Sequence, residues 1–563
     1  MKKIISTLFA SLAVSVLSVQ AADSPLWTAS LTPVSTESQL GQTHVTVGAD
    51  SSVVVTGTYN QPFTFGTTTV PNDDAMTSAY IAKYDKTGKP LWIATLYGSA
   101  YVRDIATDAK GNVFAVGALA DEVVCTGADG KTTTVKGMPD EQATVTGFIA
   151  RLTPQGSFSA LRTIYPTADE SIKNSGLYAP ESGDVKFLPQ QVCLSEDSVY
   201  VVAQYTGNVN VDNVSWPGSY LNVYDFMYMD LSSFGVMGFK AADLTGARSV
   251  AYVQALGDND TNLTSVQQGP RSMRIAYGGN TKGMWPWNDR NYDILYLAYT
   301  GIGNNKEKLF NLGSAEWPFK TEQTASGDTY YSCPIVITML INDGRSYTES
   351  LLPTPPIPTE HTADYGTDLV QSLVYNHENG NLFIAGTYYG KCPFDTTKTS
   401  QGAADMYVAA ISTADFKPVW SATDNFNEGA TNNYDEVVTG LAVDKDGKAT
   451  VVGYSEAKSN RAVVQPLQLT ATSTSSELTQ ISDTIVSIAD NGNGIRAYIA
   501  NKGTTTTVTV TGTQASTDIQ GIKRGTAVAD NKVYTLDGRY VGTSTSTLPE
   551  GVYVVNNKKV VIK

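Results

Sequence analysis

The stretch Val102–Gly117, VRDIATDAKGNVFAVG, decides the fold. Its alternating apolar positions predict two short strands, Asp104–Thr107 and Val113–Val116. The turn between them has a conformational reason, because Gly111 accepts positive φ and Asp108 hydrogen-bonds to nearby backbone to close a hairpin. Versions of this stretch return along most of the chain, so we interpret the protein as a repeat array.

The repeats divide the chain into units of about 50 to 70 residues, a spacing typical of propellers and arrays. Each unit predicts four short strands joined by tight Asp, Asn and Gly turns. One four-stranded sheet cannot bury both of its faces, whereas sheets stacked around an axis can. The sequence therefore predicts an all-β fold, a β-propeller of seven four-stranded blades, with six as the alternative because three units are less regular. The units begin near His44, Val102, Gln191, Met273, Leu369, Val437 and Thr484.

The segment PLWTASL at residues 25–31 stands before the first unit, but it matches the last strand of two later units. Those later segments begin at Pro90 and Pro418. A circular array must be closed, since otherwise it leaves unpaired strand edges. The seventh unit lacks an outer strand of its own, so we expect Trp27–Leu31 to pair with the strand near Thr504–Thr511 and close the ring.

The first residues are typical of an export signal. Lys2 and Lys3 precede the apolar run Ile4–Val19, and an Ala-rich exit follows. This run is short for a bilayer span, and no other stretch is long and apolar enough to cross a membrane. We expect an exported protein, extracellular or on the outer cell surface, with the periplasm as the alternative. The predicted parts are a signal peptide (1–21), the propeller (22–516) and a small C-terminal β tail (517–563).

Composition limits the partners and cofactors. The net charge of −15 argues against a nucleic-acid partner, which would need a basic face to neutralise phosphates. Zinc is disfavoured because its sites need clustered Cys or His, and the chain has only 3 His residues. No cofactor is expected. Calcium is the alternative where carboxylates alternate without a full binding loop, at Asp444 and Asp446 or at Asp258 and Asp260.

The 4 cysteines lie far apart and show no CxxC spacing. Export permits disulfides, whereas the alternative for each is a single apolar residue packed inside a strand. The sequence leaves this choice open for Cys125, Cys193, Cys333 and Cys392.

Two irregular, aromatic-rich insertions in the third and fourth units are the candidate binding surface. No nucleophile elbow, P-loop, dinucleotide fingerprint or HExxH motif occurs in the chain. Long propeller loops gather on one face, where exposed rings stack on a sugar or a peptide side chain while Asp and Arg orient it. The alternative is that these rings fill the gap between two adjacent blades. The candidates are Trp216, Tyr220, Tyr224, Trp285, Trp287, Asp289 and Arg290.

The repeated segments carry a family resemblance. The combination of VRDIATDAKGNVFAVG with FTFG and AYIAKYDKTGKPLWIATLYG resembles the bacterial seven-bladed propeller repeat. In that repeat an AVDxxGNVYVTG hairpin precedes an FxxG strand and a DAFVAKxxxxG strand. The resemblance implies an extracellular or cell-surface propeller whose role is mostly unassigned, and it supplies no catalytic residues.

The C-terminal tail carries a second resemblance. It contains the motifs YTLDGR at Tyr534–Arg539 and LPEGVY at Leu548–Tyr553, and it ends in the basic strand KKVVIK. These resemble a shortened type A sorting domain of the type nine secretion system, without the upstream PNP segment usual in that domain. The resemblance implies that the tail contacts secretion machinery.

Two functional hypotheses follow. The first is a non-catalytic binding or scaffold protein that engages a glycan, a peptide or another envelope protein at the propeller face. The second is a carbohydrate-active enzyme with carboxylates in the central channel. Inward-facing Asp, Glu or His would favour the enzyme, whereas an apolar or featureless channel with an aromatic rim would favour binding. A purely structural module is the third alternative.

Overall fold

The structure, a computed structural model, consists of β-strands joined by turns, and the described residues contain no α-helix. In the same residues, no helix has the length and apolarity needed to cross a membrane. The described residues are 25–31, 43–74, 76–137, 143–167, 185–223, 227–253, 269–282, 291–303, 320–323, 329–341, 345–351, 369–395, 397–423, 434–457, 460–502, 505–512, 533–535, 540–542, 548–549, 551–555 and 558–562.

The strands are short and rich in β-branched and aromatic residues, which suit a pleated, buried surface. In chain order they are β1 (Trp27–Leu31), β2 (His44–Val47), β3 (Val53–Tyr59), β4 (Phe63–Phe65), β5 (Thr68–Val70), β6 (Ser78–Tyr84), β7 (Pro90–Tyr97), β8 (Ala100–Thr107), β9 (Val113–Leu119), β10 (Glu122–Thr126), β11 (Thr132–Lys136), β12 (Ala143–Leu152), β13 (Phe158–Ile164), β14 (Pro166–Thr167), β15 (Val185–Leu194), β16 (Ser198–Tyr205), β17 (Asn208–Val211), β18 (Val214–Trp216), β19 (Ser219–Val223), β20 (Met227–Leu231), β21 (Ser233–Lys240), β22 (Arg248–Val253), β23 (Gly269–Lys282), β24 (Asn291–Gly303), β25 (Lys320–Gln323), β26 (Thr329–Ile341), β27 (Arg345–Leu351), β28 (Leu369–Asn376), β29 (Asn381–Lys391), β30 (Thr399–Ser412), β31 (Pro418–Thr423), β32 (Tyr434–Val443), β33 (Ala449–Ala457), β34 (Asn460–Ala471), β35 (Ser476–Gln480), β36 (Ile485–Asp490), β37 (Ile495–Lys502), β38 (Thr505–Gly512), β39 (Val533–Thr535), β40 (Tyr540–Gly542), β41 (Gly551–Val555) and β42 (Lys558–Ile562).

Four antiparallel strands make up each blade, ordered from the axis outward. The innermost strand of every blade contacts the innermost strands of both neighbouring blades, so the ring is closed. The described strands therefore form a β-propeller, as predicted, with seven blades rather than six. Blades 1 to 7 are β2-β3-β6-β7, β8-β9-β12-β13, β15-β16-β21-β22, β23-β24-β26-β27, β28-β29-β30-β31, β32-β33-β34-β35 and β36-β37-β38-β1.

The N-terminal strand closes the ring. β1 is the outermost strand of blade 7 and runs antiparallel to β38, with Trp27 opposite Val510 and Leu31 opposite Thr506. Leu31 is buried in the apolar cluster between blades 7 and 1. The closure predicted from the early PLW segment is confirmed.

The tryptophans of the PLW segments join adjacent blades. The Trp27 ring covers Gly88, in the turn before the outermost strand of blade 1, where a Cβ would lie 2.7 Å from the indole. Trp92 of blade 1 covers Gly156 of blade 2 in the same way, and its indole N–H donates to the Pro154 carbonyl oxygen at 2.8 Å. Both glycines have positive φ. The repeated turn glycine is therefore needed both for its backbone conformation and for the approach of the neighbouring ring.

The FTFG segment forms a hairpin of its own rather than a strand of a blade. Its strand β4 pairs only with β5, outside the blade 1 sheet. The equivalent hairpin of blade 2, β10–β11, pairs with β7, the outermost strand of blade 1. In blade 3, the hairpin β17–β18 pairs with β14, which directly follows the outermost strand of blade 2. In blades 2 and 3 these hairpins therefore attach a blade to the preceding one.

The apolar core is divided among the blade interfaces. Six described clusters each lie between two adjacent blades. Every residue of β3 is buried, with Val53 facing the cluster shared with blade 7 and Val54 the one shared with blade 2. A blade is therefore buried on both faces, which explains the nearly continuous apolar second strands. Cys125 and Cys392 are members of two of these clusters.

The tail is a separate compact unit, Thr513–Lys563, and the first unit ends at Gly512. Its described strands form one antiparallel sheet in the order β40-β39-β41-β42. The Tyr553 hydroxyl donates to the Pro549 carbonyl oxygen at 3.0 Å, which joins the ends of the LPEGVY motif.

Removing residues 1–31 is expected to destabilise the propeller. The deletion leaves β38 without an outer partner and opens the cluster that buries Leu31. The free energy of unfolding should fall by at least about 2 kcal/mol, the contribution of one buried leucine. Pulse proteolysis in urea, on the full and shortened chains, measures this loss. A synthetic peptide of residues 24–32 should restore resistance and a scrambled peptide should not; identical unfolding curves for the two chains would contradict closure by β1.

Candidate ligand site in the central channel

A cavity of about 230 Å³ lies where the innermost strands of blades 2 to 5 converge. Each of these strands contributes two or more residues to the lining. The wall combines cationic, amide and aromatic groups, chiefly Tyr101, Arg103, Gln190, Phe234, Arg274 and Gln371. We call this the channel cavity.

A β-bulge places several of these side chains. In blades 2 to 7, the pairing of the first two strands shifts by one residue, which leaves an extra residue on the innermost strand. In blades 2, 3 and 5 the extra residue is Arg103, Gln190 and Gln371, respectively, and all three line the channel cavity. Because bulges re-aim side chains, a strand within an apolar blade can present a polar group to the axis.

The residue that follows the bulge bonds to the next blade. An innermost strand has one edge with no strand beside it, so its backbone N–H groups need other acceptors. At four junctions a side chain supplies the acceptor, and we call this bond the inter-blade clasp. The clasps join Asp104 Oδ2 to Val192 N (2.8 Å), Gln191 Oε1 to Ile275 N (2.9 Å), Ser272 Oγ to Val370 N (2.9 Å) and Ser487 Oγ to Val45 N (3.1 Å).

The bulge also explains the repeated glycine at the end of the quoted stretch. A Cβ on Gly117 would lie 2.0 Å from the carbonyl oxygen of Tyr101, which stands two residues before the bulged Arg103. Gly386 meets the carbonyl oxygen of Leu369 in the same way, at 1.8 Å. These glycines are needed because the bulged backbone approaches the second strand too closely for any side chain.

Two guanidinium groups lie in the channel cavity without an ion-pair partner among the described residues. Arg103 Nη2 donates to Gln190 Oε1 at 3.2 Å. Arg274 donates from Nε to the Gln371 carbonyl oxygen at 2.7 Å and from Nη1 to the Met273 carbonyl oxygen at 2.8 Å. The backbone thus orients Arg274, and further donor hydrogens remain on both side chains.

The electrostatics of this region reflect its depth in the ring. Burial raises the pKa of Asp104 to about 7, although N–H groups of Val192 and Ile105 and the charge of Arg274 oppose the shift. Burial lowers the pKa of Arg274 to about 10, Arg103 adds to this effect, and Asp104 opposes it. Arg274 therefore stays protonated at neutral pH, and a poorly hydrated cation next to a second cation favours an anion beside it.

The named lining of the channel cavity supplies hydrogen-bonding and cationic groups. Its named lining includes no pair of carboxylates, and Asp104 nearby uses Oδ2 in a clasp. In the described part of the chain, no group of three or more His, Cys, Asp or Glu side chains could hold a metal. One further polar atom, Gln371 Oε1, is buried there without a hydrogen-bond partner, and such an acceptor is costly unless a ligand or water satisfies it.

The aromatic residues that the sequence singled out occupy different surroundings. Trp216 is fully buried; its ring lies 5.3 Å from that of Tyr205 and its indole N–H donates to Ser249 Oγ at 2.8 Å. The Trp216 ring belongs to the apolar cluster between blades 2 and 3. Tyr220 lies on β19 and is partly exposed. The other candidates, Tyr224, Trp285, Trp287, Asp289 and Arg290, lie outside the described residues.

The alternating carboxylates serve as turn residues where they are described. Asp108 Oδ1 accepts from the N–H groups of Lys110 and Asn112, as the turn chemistry predicts. Asp444 Oδ1 accepts from Asp446 N and Lys448 N in the same arrangement. Asp258 and Asp260 lie outside the described residues.

Comparisons with known proteins add no closer assignment. The sequence matches no protein-family model, and no curated protein is similar to it. Among solved structures, similar ones include the hydrazine synthase of Kuenenia stuttgartiensis (11% identity, 84% of this chain and 96% of that chain, TM-score 0.36). A glucose dehydrogenase (11%, 67% and 95%, TM-score 0.29) and a europium-containing methanol dehydrogenase (10%, 78% and 82%, TM-score 0.33) are also similar. Likenesses of this strength support no inference about the activity of this chain.

Replacing Asp104 with Asn is expected to change how stability depends on pH. A carboxyl whose pKa rises from 3.8 to about 7 on folding binds a proton in the native state that the unfolded chain releases. The contribution of Asp104 to stability therefore falls as pH rises from about 4 to 7. Asn keeps an acceptor for Val192 N but does not titrate. The difference in free energy of unfolding, Asp104→Asn minus wild type, should be about 1–3 kcal/mol larger at pH 8 than at pH 4. Urea unfolding at both pH values measures it.

The matched control is Asp104→Ala, which removes the clasp and should be less stable than Asp104→Asn at every pH. Unfolding free energies of wild type and Asp104→Asn that differ by the same amount from pH 4 to pH 8 would contradict the burial of an ionisable Asp104.

Proposed function

We propose that this protein is an exported, non-catalytic binding protein that takes its ligand in the channel cavity. The observation that carries the proposal is the pair of guanidinium groups, Arg103 and Arg274, which line the cavity without an ion-pair partner among the described residues. Both residues are half-buried, and two partly desolvated cations without a paired anion favour an anionic ligand beside them. An anionic ligand is compatible with the glycan or peptide partner of the first functional hypothesis.

The alternative, a carbohydrate-active enzyme, has less support from the described residues. Glycoside hydrolysis commonly uses two carboxyl groups that flank the bond to be cleaved. The cavity lining contains arginine, glutamine, serine and apolar residues instead. Asp104, the carboxylate nearby, is engaged by Val192 N and cannot supply both roles.

Export and surface display complete the proposal and rest on sequence patterns. The charged and then apolar residues 1–21 are typical of a signal peptide. The motifs of the tail support a role as a sorting signal of the type nine secretion system, with the secretion machinery as its partner.

A panel of small ligands tests the proposed function. Neutral sugars, sugar acids, sulfated sugars, amino acids and inorganic phosphate are added to the full chain, and binding is read as a shift in the unfolding temperature. At least one anionic member should stabilise the wild type and should be recovered chemically unchanged after long incubation. The same member should fail to stabilise Arg274→Gln. Chemical conversion of a ligand by the wild type, or equal stabilisation of both proteins, would contradict a non-catalytic channel site.

A further inference from the structure

We infer that the ligand of the channel cavity is a sugar acid, a monosaccharide unit that carries a carboxylate together with ring hydroxyls. This inference rests on the proposed function and narrows it to one chemical class. Three features of the cavity support it: the two arginine side chains, an unsatisfied hydrogen-bond acceptor and aromatic walls. Each feature matches a different part of such a molecule.

The cations match a carboxylate. Arg103 and Arg274 enter the cavity from blades 2 and 4, which lie on either side of blade 3. Arg274 is held in place by the Gln371 and Met273 carbonyl oxygens. A carboxylate has two oxygens, so it can accept from both guanidinium groups at once, with charge-assisted bonds that are stronger than neutral ones. Its charge also offsets the repulsion between the two arginines.

The acceptor matches a hydroxyl group rather than an amine. Gln371 Oε1 is buried without a partner and belongs to a side chain that lines the cavity. A ligand O–H or N–H would satisfy it. Because Arg103 and Arg274 make the cavity cationic, an ammonium group would be repelled, whereas a hydroxyl would not. Gln190 adds a further amide that can both donate and accept.

The walls and the size match a single sugar ring. Tyr101 and Phe234 line the cavity, and aromatic rings pack against the apolar C–H face of a sugar. A cavity of about 230 Å³ has room for one monosaccharide unit.

Calorimetric titration of the full chain tests the inference. The probes are D-galacturonate and D-glucuronate, their neutral counterparts D-galactose and D-glucose, cyclohexanecarboxylate as a carboxylate without hydroxyls, and inorganic phosphate. At least one sugar acid should bind at least tenfold more tightly than its neutral counterpart and than cyclohexanecarboxylate. Arg274→Gln should weaken that binding at least tenfold. Gln371→Leu should weaken binding of the sugar acid more than binding of cyclohexanecarboxylate, because only the sugar acid offers a hydroxyl to Gln371 Oε1.

Control variants keep the result interpretable. Arg151→Gln removes a charge on β12 outside the cavity lining and should bind like the wild type. Arg103→Gln gives a second test if Arg274→Gln fails to fold. Equal binding of neutral sugars, or of cyclohexanecarboxylate, would overturn the inference. Binding of phosphate alone would overturn the inference, but the proposed function of binding an anion in the channel cavity would stand. If no member of the panel binds in the channel cavity, the proposed function is overturned as well.

Discussion

A one-residue bulge in the innermost strand is the constraint on which the rest of this propeller depends. The strand next to the axis has an edge that no strand covers, so its backbone N–H groups would lie unpaired inside the protein. The bulge reverses the direction of successive side chains, and the residue after it can then reach the next blade. Asp104, Gln191 and Ser272 use this direction to accept from the neighbouring backbone. Stability of the ring and exposure of polar groups to the channel thus arise from the same local distortion.

The bulge recurs in most blades of the ring, but the residue at the bulge differs from blade to blade. In blades 2, 3 and 5 the bulged residue is polar and faces the channel cavity. In blade 6 the bulged residue is Thr439, whose hydroxyl donates to the Ile485 carbonyl oxygen at 2.6 Å. In blade 7 it is Val486, which is buried in the core. Among the described residues, the polar bulged side chains that line the channel cavity come from blades 2, 3 and 5, and Arg274 joins them from blade 4.

Sequence reasoning could predict the fold because its signals are local or repeated. The turn bonds of Asp108 and the closure by Trp27–Leu31 depend on hairpin chemistry and on an outer strand that the seventh unit lacks. The site could not be predicted in the same way, because a bulge breaks the two-residue period from which side-chain direction is inferred. Arg103 stands in the quoted stretch itself, yet only the paired strands show that it faces the axis. Trp216 illustrates the converse: an aromatic residue in an insertion has the same composition whether it is exposed or buried between blades, and only packing distinguishes them. Aligning the units would have shown Arg103, Gln190 and Gln371 at one shared position of the first strand.

Hydrogen exchange at single-residue resolution tests most directly whether the clasps hold the ring together. The backbone amides of Val192, Ile275 and Val370 each donate a hydrogen bond to a side chain of the preceding blade rather than to a neighbouring strand. In the native protein they should exchange as slowly as the amides within the central strands, and Asp104→Ala should accelerate exchange at Val192 with little change at Val370. Exchange of all three at the rate of solvent-exposed turn amides would contradict the clasp and, with it, the geometry proposed for the channel.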